Sequence, residues 1–179
     1  MDLKLRLCLH VLLLATSLSA AGVACAPVPS GPVSLVSFTE NYVEVSIFLE
    51  RSAEGNYILS GTFTPPAGYH LYSKDIPRNG VNGLGRPTLL ELGSDGPIKA
   101  NGELRESVKA EAPNFEPKEL LVYPLGPVTL SLPVELPGGG DPIDAEIKVT
   151  YMTCSANLCK PPVEGKIIAI RIPGVNIPQ

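Results

Sequence analysis

A chain of 179 residues suits a single domain. Eighteen Asp+Glu against 14 Lys+Arg give a formal charge of −4, and no basic patch occurs, which argues against nucleic acid as a partner. Nineteen prolines and 17 glycines fit a body with many turns.

The chain opens on a leader. Lys4 and Arg6 form a short basic start, Leu7 to Val23 is almost wholly apolar, and Ala24-Cys25-Ala26 fits a small-residue cleavage signal before Pro27. Residues 1–26 therefore read as a secretory signal peptide. An uncleaved membrane anchor is the competing reading, against which stand a run at the short end for spanning and its ending in small residues. Cleavage before Cys25, with acylation of that cysteine, also stays open, and membrane contact is expected only in that case. Without Asp2, Lys4 and Arg6 the mature chain, residues 27–179, carries 12 basic against 17 acidic residues, a charge of −5.

Residues 27–32 are a proline-rich entry, and Leu35 to Phe38 a short edge strand. Tyr42 to Leu49 alternates Val43, Val45, Ile47 and Leu49 against Glu44, Ser46 and Phe48, the pattern of a half-buried strand. Glu54-Gly55-Asn56 is a turn, and Tyr57 to Phe63 the returning strand. Tyr69 to Tyr72 is briefly extended. Residues 73–87 lack periodicity and read as a long loop without any phosphate- or dinucleotide-binding pattern. Thr88 to Leu92 is a short strand, Glu103 to Ala110 alternates weakly, and Glu111 to Lys118 is a loop carrying one large apolar residue, Phe115. Pro127 to Leu136 reads as a strand whose Pro133 implies an edge or a bulge. Asp144 to Tyr151 and Lys166 to Ile172 are the last two strands. Eight or nine short strands at roughly ten-residue spacing, with no convincing helix, predict an all-β, immunoglobulin-like antiparallel β-sandwich.

Between those last strands stands Thr153-Cys154-Ser155-Ala156-Asn157-Leu158-Cys159-Lys160-Pro161-Pro162. The pair is expected on a hairpin loop, exposed to a foreign thiol, with Pro161 and Pro162 delaying ladder pairing beside the second cysteine. Export places these two thiols in an oxidising compartment, where a nearby pair can form a disulfide. Such a bond has a bland reading, a staple whose six-residue ring is worth only about 2 kcal/mol, and a sharper one, reversible exchange. No metal or cofactor is expected: two thiolates do not complete a tetrahedral zinc site, and His70 is the only histidine outside the leader. The Lys160 ammonium could favour a Cys159 thiolate, or be an ordinary solvated side chain.

Three stretches resemble the N-terminal domain of the thiol:disulfide interchange protein DsbD, the DsbC-like disulfide-corrector family. They are PPAGYHLYSKDIPRNG (65–80), EAPNFEPKELLVYPLGPVTLSLPVEL (111–136) and VTYMTCSANLCKPP (149–162). The resemblance spans roughly residues 35–172. It implies an immunoglobulin-like fold and a redox-active pair, with Cys159 forming the mixed disulfide and Cys154 resolving it. It also implies a cap loop shielding the pair through Phe115, and a site lined by Tyr72 and His70. Tyr151 is a further candidate for the lining, with sandwich packing as its alternative role. The family's acidic residues before the cap aromatic are Pro113 and Asn114 here, which leaves the tuning of the thiols open. Full-length members also carry a membrane electron-transfer domain and a thioredoxin-like domain. The chain reaches Gln179 without either, so a separate membrane protein of DsbD type is the expected donor, and thioredoxin-like periplasmic proteins the expected partners. From another class, the alternative is a non-catalytic periplasmic binding or adaptor module with a structural disulfide.

Overall fold

The computed structural model describes residues 31–174; the leader and Cys25 lie outside the described residues. Among these residues eleven strands form, in order β1 (Val33–Glu40), β2 (Val43–Arg51), β3 (Tyr57–Thr64), β4 (His70–Leu71), β5 (Leu89–Leu92), β6 (Lys99–Ala100), β7 (Arg105–Glu106), β8 (Val128–Glu135), β9 (Ile143–Tyr151), β10 (Thr153–Cys154) and β11 (Val163–Ile172). Among the described residues there is no helix, and hence none long and apolar enough to cross a membrane.

The larger sheet runs β1-β2-β3-β8, with the two-residue strands β6 and β7 beyond β8; the smaller runs β11-β9-β5. Every strand pairing is antiparallel. Alternation decides which side of each sheet meets the other, because successive strand side chains point to opposite faces. Val43, Val45, Ile47 and Leu49 of β2 are fully buried, as are Ile147, Val149 and Tyr151 of β9, and they share one core cluster. The chain is thus an all-β antiparallel sandwich. At its centre a side chain on Gly61 of β3 would meet Ile47 of its own sheet and Leu90 of the facing one at 3.2 and 3.3 Å, so a residue without a side chain lets the sheets close.

Several expectations are revised. The first strand covers eight residues rather than four and does lie at a sheet edge. Tyr42 is not in a strand: Asn41 (φ 48°) and Tyr42 (φ 71°) are the two central residues of a tight hairpin turn between Glu40 and Val43. Pro133 lies neither on an edge strand nor at a bulge. It keeps register with Ile58 of β3, and its carbonyl accepts from Asn101 N–H at 2.8 Å. A strand residue's N–H and C=O point the same way, so the missing donor falls between the partners of β6 and β7, where the ladder is already interrupted. The strand after the cysteines starts at Val163, three residues early, because a register shift between Val163 and Lys166 absorbs the irregular start.

Leu90, fully buried where the sheets meet, gives the test of this packing. Leu90→Ala is expected to lower the free energy of unfolding by about 2–5 kcal/mol, measured by urea denaturation.

Candidate functional site

Cys154 and Cys159 are joined in a disulfide. Thr153 and Cys154 leave the sandwich sheets and pair instead with β4: Thr153 opposes Leu71 and Cys154 opposes His70. The Thr153 hydroxyl reinforces this two-residue ladder by donating to the His70 carbonyl at 3.0 Å. The second arm then folds back on the first. Ser155 N–H donates to Leu158 C=O at 2.8 Å, Lys160 N–H donates to Thr153 C=O at 2.9 Å, and Cys154 and Cys159 form a bridge pair. The Ser155 hydroxyl, accepting from Leu158 N–H at 3.1 Å, tightens the tip.

The expectation of a dithiol exposed at a hairpin tip needs correction in one half. Cys159 is exposed, but Cys154 is only 2% accessible and packs in a small second core with Tyr72, Ile76 and Leu120. The β4 pairing is the cause, since it draws the first cysteine under the loops while the fold-back leaves the second outside.

Both cysteines line a cleft of about 840 Å³. One wall is the loop 79–86, shaped by close backbone approach: at Gly80 (φ 76°) a Cβ would lie 2.0 Å from the Leu84 carbonyl oxygen, which only glycine tolerates. The Arg86 guanidinium ties the wall together, donating to the Gly85 carbonyl at 2.7 Å and to those of Asn79 and Gly83 at 3.2 Å, and it pairs with Glu164 of β11. The opposite wall is the loop that carries Phe115. Its base is closed by reciprocal bonds between Glu111 and Val122 (2.8 and 2.9 Å), and Lys118 Nζ donates to the Pro113 carbonyl at 3.1 Å. Phe115 lines the cleft and is 38% exposed, with its ring centroid 6.0 Å from that of His70.

Tyr72 and His70 also line the cleft, their rings edge to face at 5.3 Å. Burial pushes the Tyr72 hydroxyl above its ordinary range and holds the His70 imidazole below its own. Tyr151 is not part of the lining. It is fully buried in the sandwich core, edge-on to Phe63 at 5.6 Å, with its hydroxyl donating to the Glu40 carbonyl at 3.2 Å. Residue alternation along β9 turns it inward, and the direction reverses only beyond it.

Sequence reasoning overlooked the apolar rim. Leu84 and Leu125 line the cleft while 53% and 68% exposed; single leucines in aperiodic loops carry no pattern that marks them. It also overlooked a clasp on the segment after Cys159. Asn41 Nδ2 donates to the Pro161 carbonyl at 2.8 Å, and Lys160 Nζ lies 3.7 Å from the Tyr42 ring centroid. The Lys160 ammonium is therefore held by an aromatic face from another hairpin. A tyrosine in the left-handed region costs about 1–2 kcal/mol, and the cation–π contact returns about 0.5–1 kcal/mol. The Asn41 hydrogen bond adds about 1 kcal/mol. Among the described residues no three His, Cys, Asp or Glu side chains gather as metal ligands would.

No protein-family model matches the chain, and no curated protein does. Among solved structures it is similar to the N-terminal domain of DsbD from Neisseria meningitidis in the reduced form. That match has 17% identity over 66% of this chain and 78% of that one, with a TM-score of 0.40. It is also similar to the N-terminal periplasmic domain of ScsB from Proteus mirabilis, at 12% identity over 80% of this chain, with a TM-score of 0.49. The matched region spans about half, 54%, of the ScsB chain.

The clasp predicts opposite responses in two measurements. Tyr42→Gly creates an Asn-Gly turn that the hairpin backbone prefers, so global unfolding free energy should change by less than about 1 kcal/mol. Amide exchange at Lys160 and Leu158 should nonetheless accelerate severalfold, because the ring holding Lys160 is gone.

Proposed function

We propose that the protein is an exported thiol–disulfide exchange protein. It relays electrons through Cys154 and Cys159 from a membrane-bound reductant of DsbD type to oxidised thioredoxin-like proteins of the periplasm. The observation that carries this reading is the unequal exposure of two bonded cysteines that line an apolar-rimmed cleft. A disulfide with one open sulfur offers an incoming thiolate a single point of attack, and its other sulfur is the leaving group.

The order of events follows from that asymmetry. A reductant's thiolate attacks Cys159 Sγ, the Cys154–Cys159 bond breaks, and Cys154 departs with the bonding electron pair. A second thiol of the reductant then releases Cys159. Running the other way, Cys159 opens the disulfide of an oxidised partner, and Cys154 attacks the mixed disulfide and expels the partner reduced. Phe115 stands over the cleft as a cap, with Tyr72 and His70 beneath it. Leu84, Leu125 and the exposed Leu158 of the cysteine loop present apolar surface at the rim, which suits a protein partner better than a small polar thiol. The leader supplies the export that the chemistry requires, since a cytosolic thiol pair would be kept reduced; whether Cys25 is acylated decides between a soluble and an anchored form.

Two measurements test the reading. The reduction potential of the pair should lie above about −300 mV, whereas a value well below it marks a structural staple of the adaptor alternative. Cys154→Ala should accumulate a stable mixed disulfide at Cys159 with a thioredoxin-like protein, seen on non-reducing gels, and Cys159→Ala should accumulate none.

A further inference from the structure

Three residues lie side by side across short strands. Cys159 bridges to Cys154, and Cys154 opposes His70 in the β4–β10 ladder. Directly opposed residues of an antiparallel pair project to the same face with Cβ atoms about 4.5–5.5 Å apart, and all three side chains line the one cleft. The row runs from exposed Cys159 through buried Cys154 to half-buried His70. Its histidine end is unfinished, for the Nε2 atom itself is buried and has no hydrogen-bond partner. An orphaned buried polar atom is costly and calls for an explanation. In the oxidised protein the neighbouring sulfurs carry no proton to offer it. Once the disulfide opens, Cys154 becomes a thiol and does.

We propose that His70 is the general base for Cys154, its Nε2 taking the thiol proton as that sulfur attacks the mixed disulfide at Cys159. This rests on the exchange reading above and assigns the proton that reading leaves unplaced. The balance is closed. The S–H proton passes to the imidazole, and the sulfur electron pair forms the Cys154–Cys159 bond. The bond from Cys159 to the partner sulfur breaks, and the partner leaves as a thiolate carrying that electron pair. In this step Cys154 is oxidised and the partner sulfur is reduced, while Cys159 stays disulfide-bonded throughout; the imidazolium then yields its proton to the departing thiolate or to water. In the reverse direction the imidazolium protonates Cys154 as it leaves, so that no anion is stranded among Tyr72, Ile76 and Leu120.

The surroundings favour this use of the ring. Burial disfavours the charged imidazole, which keeps it a neutral acceptor at pH 7. The titratable and charged groups facing it are Tyr72 beside it, Cys154 from β10, Glu111 and Tyr123 from the cap-loop side, and Glu116 and Arg86 across the cleft. None of those carboxylates forms an ion pair with it, and the Tyr123 hydroxyl is committed to Glu106 at 2.6 Å.

The experiment isolates the resolving step. The Cys159–glutathione adduct of the full chain is formed from glutathione disulfide and held at acid pH. It is then jumped to pH 5–9, and its decay is followed by acid quench and mass spectrometry. The wild-type rate should rise through an inflection below about pH 6.5 and then flatten. In both His70→Phe and His70→Gln the rate should instead follow thiol ionisation alone, near or above about pH 8.5, and at pH 7 it should be about 10²-fold slower. A wild-type profile with no inflection below pH 7, or variants within twofold of wild type at pH 7, overturns the assignment; if neither variant folds, the wild-type profile decides. Failure of the adduct to form at Cys159 overturns the exchange reading itself, whereas an adduct that forms and resolves independently of His70 overturns only the role of the histidine.

Discussion

Two residue pairs decide how this protein presents its cysteines. Thr153 opposite Leu71 and Cys154 opposite His70 make a separate two-stranded sheet of only two residue pairs, yet it redirects the chain as it leaves β9. Without it the β9–β11 hairpin would carry both sulfurs outward together. With it, Cys154 is held under the loops and Cys159 is left at the surface. A bond between such unequal sulfurs has a preferred site of attack built into its environment, independent of the intrinsic chemistry of either thiol.

The sandwich supplies the fixed frame for that arrangement. Its core is continuous across both sheets, and the close approach at Gly61 locks them together. The cleft is then lined by connections: the β3–β4 and β4–β5 loops, the loop that carries Phe115 and the cysteine loop. This is the usual division between a rigid scaffold and the loops it positions. These connections are not slack. Arg86 gathers three carbonyls of its own loop, Glu111 and Val122 pinch the base of the cap loop, and the Asn41–Tyr42 turn reaches across to hold Lys160 and Pro161. When the disulfide opens, that last clasp still restrains the segment after Cys159.

Polar groups buried beside the cleft are mostly satisfied. The Tyr123 hydroxyl has both Glu106 and the Lys74 N–H, and the Thr88 hydroxyl reaches the Tyr72 carbonyl. His70 Nε2 stands apart from them. A fold that takes such care elsewhere would be expected to pair this atom as well, unless its partner appears only in another redox state. The contrast between satisfied and unsatisfied groups in one neighbourhood is what gives the orphan its meaning.

The long strands were legible because alternation of apolar residues is a local property: Val43 to Leu49 and Ala145 to Tyr151 announce which face is buried wherever they sit in the chain. The cysteine motif and the glycine-rich loop were legible as well, through spacing and turn chemistry, and Phe115 as the one large apolar residue of its loop. The same alternation sets Tyr151 on the buried face with Ile147 and Val149, and its side chain belongs to the core rather than to the cleft. Which cysteine is buried, which leucines rim the cleft, where Lys160 rests and what faces His70 are contacts between segments tens of residues apart. Residue 70 meets residue 154, and residue 42 meets residue 160, only after the sheets have packed. Local pattern thus determined the strands and named the sulfurs, and tertiary packing alone decided their exposure and their neighbours, because burial belongs to the assembled surface and is written in no single stretch of the chain.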